Sequence, residues 1–270
     1  MSKLVANELK QLGVSPSKGR GQNFLTDKNV VREVLDFAEI GPKETVIEVG
    51  PGLGALTYEL ASIFPKLHLI EVELEFSRKF KEELSLPVIE KDIREVLLKD
   101  YFSEKVCVIS NVPYSISTDF SLWLFRECAL IKSASLLLQK EFAQRLGASG
   151  GSRAYGSLSV LRAIYASATL GPIIPPSAFH PAPRVDSQLI RLDFTTPEIT
   201  LGELSQEKFE KFIRACFSQK RKTLSNSLTT LFDSKAEASA FISKNGLEAN
   251  IRAEQLAPKE LLRLANIFWA

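Results

Sequence analysis

The chain has 270 residues, 45% of them hydrophobic and 24% charged, which is enough apolar material for one large or two modest globular domains and excludes a disordered chain. Its cysteines, Cys107, Cys128 and Cys216, are odd in number and irregularly spaced, which argues against a disulfide framework or a zinc site and for a reducing cytoplasm. The formal net charge is +2, too small by itself to suggest a nucleic-acid partner. No apolar run approaches the ~18 residues that span a bilayer. The start, Met1-Ser-Lys-Leu-Val, lacks a secretory signal segment, so a cytoplasmic protein without membrane contact is expected.

In chain order, Asp27 is placed to cap a helix over residues 30–38, whose apolar Val30, Val31, Val34, Leu35 and Ala38 recur at helical spacing, and Gly41-Pro42 ends it. Residues 45–49 read as a first buried strand and 55–63 as a helix starting on a glycine turn. A strand at 67–71, a helix at 76–84, a short strand at 87–90 and a strand at 106–110 follow. This alternation predicts a doubly wound, Rossmann-like α/β fold with a parallel sheet. After a helix at 120–128, the segments 134–139, 161–170 and 185–194 are three further strand candidates. The last alternates and follows a proline-rich loop, as an antiparallel strand does. Composition shifts near Thr195-Thr-Pro-Glu198, and helices at 207–218, 224–231, 236–245 and 259–268 follow without a strand between them. The expected domains are therefore 1–199 and a small helical domain over 200–270.

Four short motifs end four of the apolar runs. Glu48-Val-Gly-Pro-Gly-Leu-Gly54 supplies a tight turn that lets a ligand approach the backbone, with Gly-x-Gly-x-Gly spacing in place of the dinucleotide fingerprint. Glu71 lies 19 residues after Gly52, near the distance at which an acid accepts the hydroxyls of a ribose. Asp92, after the third strand, can accept a hydrogen bond from the exocyclic amine of an adenine, although alone it reads as an ordinary loop residue. Asn111-Val-Pro-Tyr114 follows the fourth strand and is the most specific of the four. There the Asn111 side-chain oxygen and the Val112 carbonyl, left without a sheet partner by Pro113, can accept the two hydrogens of an amino group on a flat base while Tyr114 stacks on it. Two basic stretches flank a nearly neutral middle: Lys3, Lys10, Lys18, Arg20 and Lys28 at one end, and Arg214, Lys220, Arg221 and Lys222 at the other. On charge alone, solvated faces and an RNA-contacting surface are equally open readings. A lone histidine, His180 in its proline-rich loop or His68 in a strand, reads as structural.

Taken together these motifs resemble the ribosomal RNA adenine dimethyltransferases, which modify small-subunit rRNA and whose loss gives kasugamycin resistance. Gly21-Gln-Asn-Phe-Leu25 is similar to that family's amino-terminal cofactor motif, and Gln139-Lys-Glu-Phe-Ala-Gln-Arg145 to its fifth-strand motif. Phe179-His-Pro-Ala-Pro-Arg-Val-Asp-Ser187 is similar to its late aromatic loop, and Gln219-Lys-Arg-Lys-Thr-Leu224 to its basic helical segment. The resemblance implies S-adenosylmethionine as cofactor, held by Asn23, Leu25, Gly50, Glu71, Asp92 and Asn111. It implies catalysis by Asn111, Tyr114 and Phe179, with Phe179 forming a second wall opposite Tyr114. Val112, Pro113, Lys220, Arg221 and Lys222 would contact the substrate. The reaction implied is double methylation at N6 of two adjacent adenosines near the 3' end of 16S rRNA in an assembling 30S particle, by a monomer that needs no metal. Ser115, Glu73 and Arg184 stand where the family more often has asparagine, aspartate and lysine, and none of these changes removes a group the chemistry requires. Two other readings stay open at this point: a binding protein acting as an assembly checkpoint or transcription factor, and a nicotinamide-dependent oxidoreductase, against which the glycine spacing counts.

Overall fold

The structure, a computed structural model, describes residues 2–14, 22–219 and 221–270. Lys18, Arg20, Gly21 and Lys220, named above, lie outside the described residues, as does the side chain of Lys3. The chain divides into two compact units, Met1–Ala143 with Ala168–Thr195, and Gln144–Ser167 with Thr196–Ala270. The boundary expected at 199/200 therefore falls a few residues early, and the segment 144–167 joins the helical unit. Sequence order hides this, because the segment's apolar residues find their core partners beyond residue 195: Val160 and Ala163 share a cluster with Phe209 and Leu261.

The first unit opens with α1 (Ser2–Gln11), which buries Leu9, and β1 (Phe24–Leu25). Asp27 caps α2 (Lys28–Ala38) by accepting from the Asn29 N–H at 2.8 Å, and Val30, Val31, Val34 and Ala38 form its buried face. Each such valine, fully buried, contributes roughly 1.5–3 kcal/mol. The helix ends where Glu39 adopts a left-handed conformation (φ 49°). Then come β2 (Val46–Val49), α3 (Thr57–Ile63), β3 (Leu67–Ile70), α4 (Leu74–Leu84), β4 (Val88–Ile89), β5 (Val106–Asn111), α5 (Ser117–Arg126), β6 (Ile131–Gln139) and α6 (Lys140–Leu146). The last strands are β7 (Ser167–Ile174), β8 (Phe179–His180) and β9 (Ser187–Asp193).

Seven strands form one sheet in the order β4-β3-β2-β5-β6-β9-β7. Pairs from β4 through β6 are parallel, and β9 lies antiparallel to β6 from Ser133↔Asp193 to Gln139↔Ser187, as the alternating pattern predicts. Strand order reverses between β2 and β5, and the crevice at the carboxyl ends of strands at such a switch point is where open α/β sheets bind ligands. The Ser110 hydroxyl ties those two ends together by donating to the Val49 carbonyl at 2.7 Å.

Residues 161–170 are not one strand. They contain the end of α7 (Ser157–Ala163), a turn, and the start of β7. A short apolar run does not distinguish a buried helix from a strand, and here the helix is chosen by packing, since Val160 and Ala163 are fully buried. The two-residue pairing of β1 with β8, Phe24↔His180 and Leu25↔Phe179, also has no sequence signature.

The helical unit adds α8 (Gln206–Cys216), α9 (Leu224–Leu228), α10 (Lys235–Lys244) and α11 (Pro258–Trp269), close to the expected spans. Ser205, Thr223 and Ser234 cap the first three by accepting backbone N–H bonds. Arg162, 1% exposed, is held by the Leu146 and Ala166 carbonyls and paired with Glu198.

Candidate active site

The turn after β2 is built on left-handed glycines. Gly50 (φ 69°) points its missing Cβ into open space, whereas a Cβ on Gly54 (φ 94°) would lie 2.7 Å from the Tyr58 ring and 2.8 Å from the Phe80 ring. Gly50 thus leaves room for a ligand and Gly54 lets the turn close on the helices behind it. Beneath the turn, Lys79 of α4 donates to the Leu53 carbonyl at 3.1 Å, pairs with Glu8 of α1, and lies 5.6 Å from the centres of the Tyr58 and Phe80 rings. Nothing in the sequence marks this lysine, which carries a positive charge through a nearly buried layer.

At the end of β3, Glu71 is clamped by backbone donors: its Oε1 accepts from the N–H groups of Val72 (2.8 Å) and Glu73 (2.9 Å), and its Oε2 from Gly52 (3.4 Å). Carboxylate and glycine turn therefore hold a fixed relation. Asp92 accepts from Nε (2.9 Å) and Nη2 (2.6 Å) of Arg94 as well as from the Arg94 N–H (2.9 Å). That guanidinium holds the Asp92 carboxyl below the usual range, so it acts as an acceptor only. At the end of β5, Asn111 Nδ2 donates to the Asn23 carbonyl at 2.9 Å. The amide is thereby oriented with its oxygen as the acceptor. The next residue, Val112, spends its N–H on the Leu137 carbonyl (3.1 Å), and Pro113 supplies no N–H. Tyr114 opens a short 3-10 turn, and its hydroxyl meets Ser187 Oγ at 2.5 Å. Burial pushes that phenol up.

Asn23, Leu25, Gly50, Glu71, Asp92, Asn111, Val112, Pro113 and Tyr114 line one cavity of about 500 Å³, within the range of small-ligand sites. The structure brings these nine predicted residues together. One expected residue stands apart from them: Phe179 is not among the residues lining the cavity but is 4% exposed and belongs to the core cluster with Phe24 and Leu25. The pairing of β8 with β1 is what holds this ring in the core cluster. Arg221 and Lys222 belong to the helical unit and precede α9. His68 packs edge-on against Phe102 at 4.9 Å, and burial lowers its imidazole, in keeping with a structural role. Among the described residues no cluster of metal-ligating side chains occurs. No helix among them is long and apolar enough to cross a membrane.

Two cavity residues had gone unassigned. Arg94 is one, its fork on Asp92 invisible until the turn is folded. Glu48 is the other: it interrupts the buried strand β2, is 2% exposed, and its Oε2 has no hydrogen-bond partner. A lone acid in an apolar parallel strand was the available signal.

A parallel sheet closed by an antiparallel strand, with a glycine turn, a clamped acid and Asn-Val-Pro-Tyr around its switch point, defines a Rossmann-like methyltransferase. Two solved structures share the fold: the 23S rRNA methyltransferase ErmE (TM-score 0.70, 22% identity, 92% of this chain and 100% of that one) and a dimethyladenosine transferase from Plasmodium falciparum (TM-score 0.73, 24% identity, 91% and 97%). Proteins called ribosomal RNA small subunit methyltransferase A are similar along nearly their whole length. That of Haemophilus ducreyi is 35% identical over 97% of this chain and 92% of its own, and that of Bacillus cytotoxicus 33% identical over 96% and 93%. The family model described as ribosomal RNA adenine dimethylase matches residues 17–269, and the chain belongs to that family. Its methyl donor is S-adenosylmethionine. The cavity fits that molecule: a clamped carboxylate suits the ribose hydroxyls, an acceptor-only aspartate the adenine amine, and the unpartnered oxygen of Glu48 a positive charge.

Proposed function

We propose that this protein methylates N6 of two adjacent adenosines near the 3' end of 16S rRNA, twice each, acting in the cytoplasm as a monomer on an assembling 30S particle. The observation that carries the reading is the hydrogen bond from Asn111 Nδ2 to the Asn23 carbonyl. It leaves the amide oxygen as an acceptor at the carboxyl end of β5, where the adenine amino group must be held. Bound S-adenosylmethionine supplies an electrophilic methyl group. An adenine amine is a poor nucleophile because its lone pair is delocalised into the ring. Asn111 Oδ1 and the Val112 carbonyl accept its two hydrogens, which draws the nitrogen toward a tetrahedral shape and aims its lone pair.

Tyr114, tethered to Ser187, offers its ring to the target base, and such a stack contributes about 1–3 kcal/mol against an unstacking cost of a few. Phe179, the second wall that the resemblance implies, sits in the core cluster here, so Tyr114 carries the stacking in this arrangement. Glu71 holds the ribose of the cofactor, Asp92 its adenine, and Gly50 admits its amino-acid end. Arg221 and Lys222, with Lys220, are the candidates for phosphate contacts.

Asn111→Ala tests the reading. Single-turnover methyl transfer should fall at least a hundredfold while cofactor affinity falls far less and the melting temperature stays near wild type. Retained transfer would overturn the mechanism.

A further inference from the structure

Glu48 is the cavity residue whose chemistry the mechanism does not use. It occupies the third position of β2, between the parallel neighbours β3 and β5, opposite Leu69 on one side and Ile109 on the other. A carboxylate buried there without a partner costs far more than a neutral side chain of the same size, so packing alone does not explain it. Its Oε2 and the Thr57 hydroxyl oxygen beside it are both buried and both lack a well-formed hydrogen bond. No cationic side chain among the described residues pairs with it, and the charged group acting on it is the Glu71 carboxylate. Burial raises the Glu48 carboxyl to about 8; the Thr57 hydroxyl offsets part of this and the charge of Glu71 adds to it. The wall of the cofactor cavity thus contains an acid that lacks a cation, next to a second acid that is already satisfied by backbone N–H groups.

We infer that Glu48 carries a proton in the cofactor-free protein and releases it when the positive charge of the cofactor enters, so that cofactor capture is coupled to loss of one proton. The Glu48 O–H bond breaks, the proton passes to solvent, and the carboxylate becomes the counter-ion of the bound cation. The inference rests on the cavity being the S-adenosylmethionine site. Either positive centre of the cofactor, its ammonium or its sulfonium, has the required chemistry. The coupling makes the site select for charge as well as for shape, since a neutral ligand of the same outline would leave the proton in place.

Isothermal titration calorimetry at pH 7 in two buffers of different ionisation enthalpy counts the protons released. At one pH unit below a value of about 8, the group is roughly nine-tenths protonated, so wild type should release about 0.9 proton more than Glu48→Gln on binding S-adenosylmethionine. The variant subtracts any ionisation of the ligand itself. Wild-type affinity should also rise nearly tenfold from pH 6 to pH 7, a measurement that needs no variant. S-adenosylhomocysteine keeps the ammonium and lacks the sulfonium, so equal release with both ligands assigns the ammonium and release with S-adenosylmethionine alone assigns the sulfonium. Equal proton counts in wild type and variant, or an affinity flat between pH 6 and 7, would overturn the inference while leaving the cofactor site in place. Absence of binding by either ligand would overturn the site assignment itself.

Discussion

Replacing Gly54 by alanine tests how tightly the glycine turn is built. At φ 94° an alanine is strained whatever the space, at about 1–2 kcal/mol for a left-handed L-residue. Its Cβ would also stand 2.7 Å from Tyr58 Cε2, 2.8 Å from Phe80 Cε1 and 3.0 Å from Phe80 Cζ. The Phe80 ring has nowhere to retreat, whereas Tyr58, 41% exposed, is restrained chiefly by its own contacts. Phe80 is fully buried, Tyr58 donates to Glu83 at 2.5 Å, and Lys79 lies over both. Overpacking of this kind adds about 1–3 kcal/mol. The sum, roughly 2–5 kcal/mol, corresponds to a fall in melting temperature of roughly 5–15 °C for a unit of this size. Gly50→Ala is the control: its Cβ meets nothing within 4 Å, so only the backbone term of about 1–2 kcal/mol applies, while the new methyl intrudes on the cofactor cavity. Thermal unfolding followed by circular dichroism, with cofactor titrations on both variants, separates the two effects. The reasoning fails if Gly54→Ala melts within a degree of wild type, or if Gly50→Ala is the more destabilised of the pair.

Three further outcomes are expected. The Glu48 carboxyl is raised from 4.5 to about 8 on folding, so its favourable contribution is full below pH 4.5 and is lost as pH rises through 8. Glu48→Gln should therefore lose several degrees less in melting temperature than wild type between pH 5 and pH 8.5, and parallel curves would refute this. Lys79→Met keeps the packing but removes the bond to Leu53 and the pair with Glu8, a loss of about 1–3 kcal/mol felt locally. Hydrogen exchange should quicken at least tenfold in α1 and the glycine turn, and unchanged protection would show that Lys79 ties nothing down. Reversing charge at Arg221 and Lys222 together should weaken binding to small-subunit particles and reduce its salt dependence by about one to two ions, with cofactor affinity unchanged. Identical binding and salt slopes would make these residues an ordinary solvated face.

Much of the first unit was legible because its chemistry is local. The strands Val46–Val49 and Val106–Asn111 are buried on both faces and so read as mainly apolar runs, interrupted in the first by Glu48, and Asp27 announced α2 as a cap. The four strand-end motifs converge because a parallel sheet places all its carboxyl ends on one edge, a topological consequence the βαβ pattern already contains. What escaped depends on contacts between distant residues. The pairing that buries Phe179 against Leu25, and the bond from the Thr26 N–H to the Ala178 carbonyl, join segments about 150 residues apart, and no local pattern encodes them. The segment 144–167 leaves the first unit for the same reason: its partners lie beyond residue 195. Glu48 and Arg94 were visible as residues, yet their roles follow from burial in one case and from a two-pronged grip on Asp92 in the other.

The most direct measurement is transfer of labelled methyl groups from S-adenosylmethionine to small ribosomal subunits purified from cells that lack this modification, with the labelled nucleoside identified after digestion. The account predicts N6,N6-dimethyladenosine as the labelled product, at two adjacent positions. Measurable cofactor binding without any transfer, or label in a nucleoside other than adenosine, would contradict it.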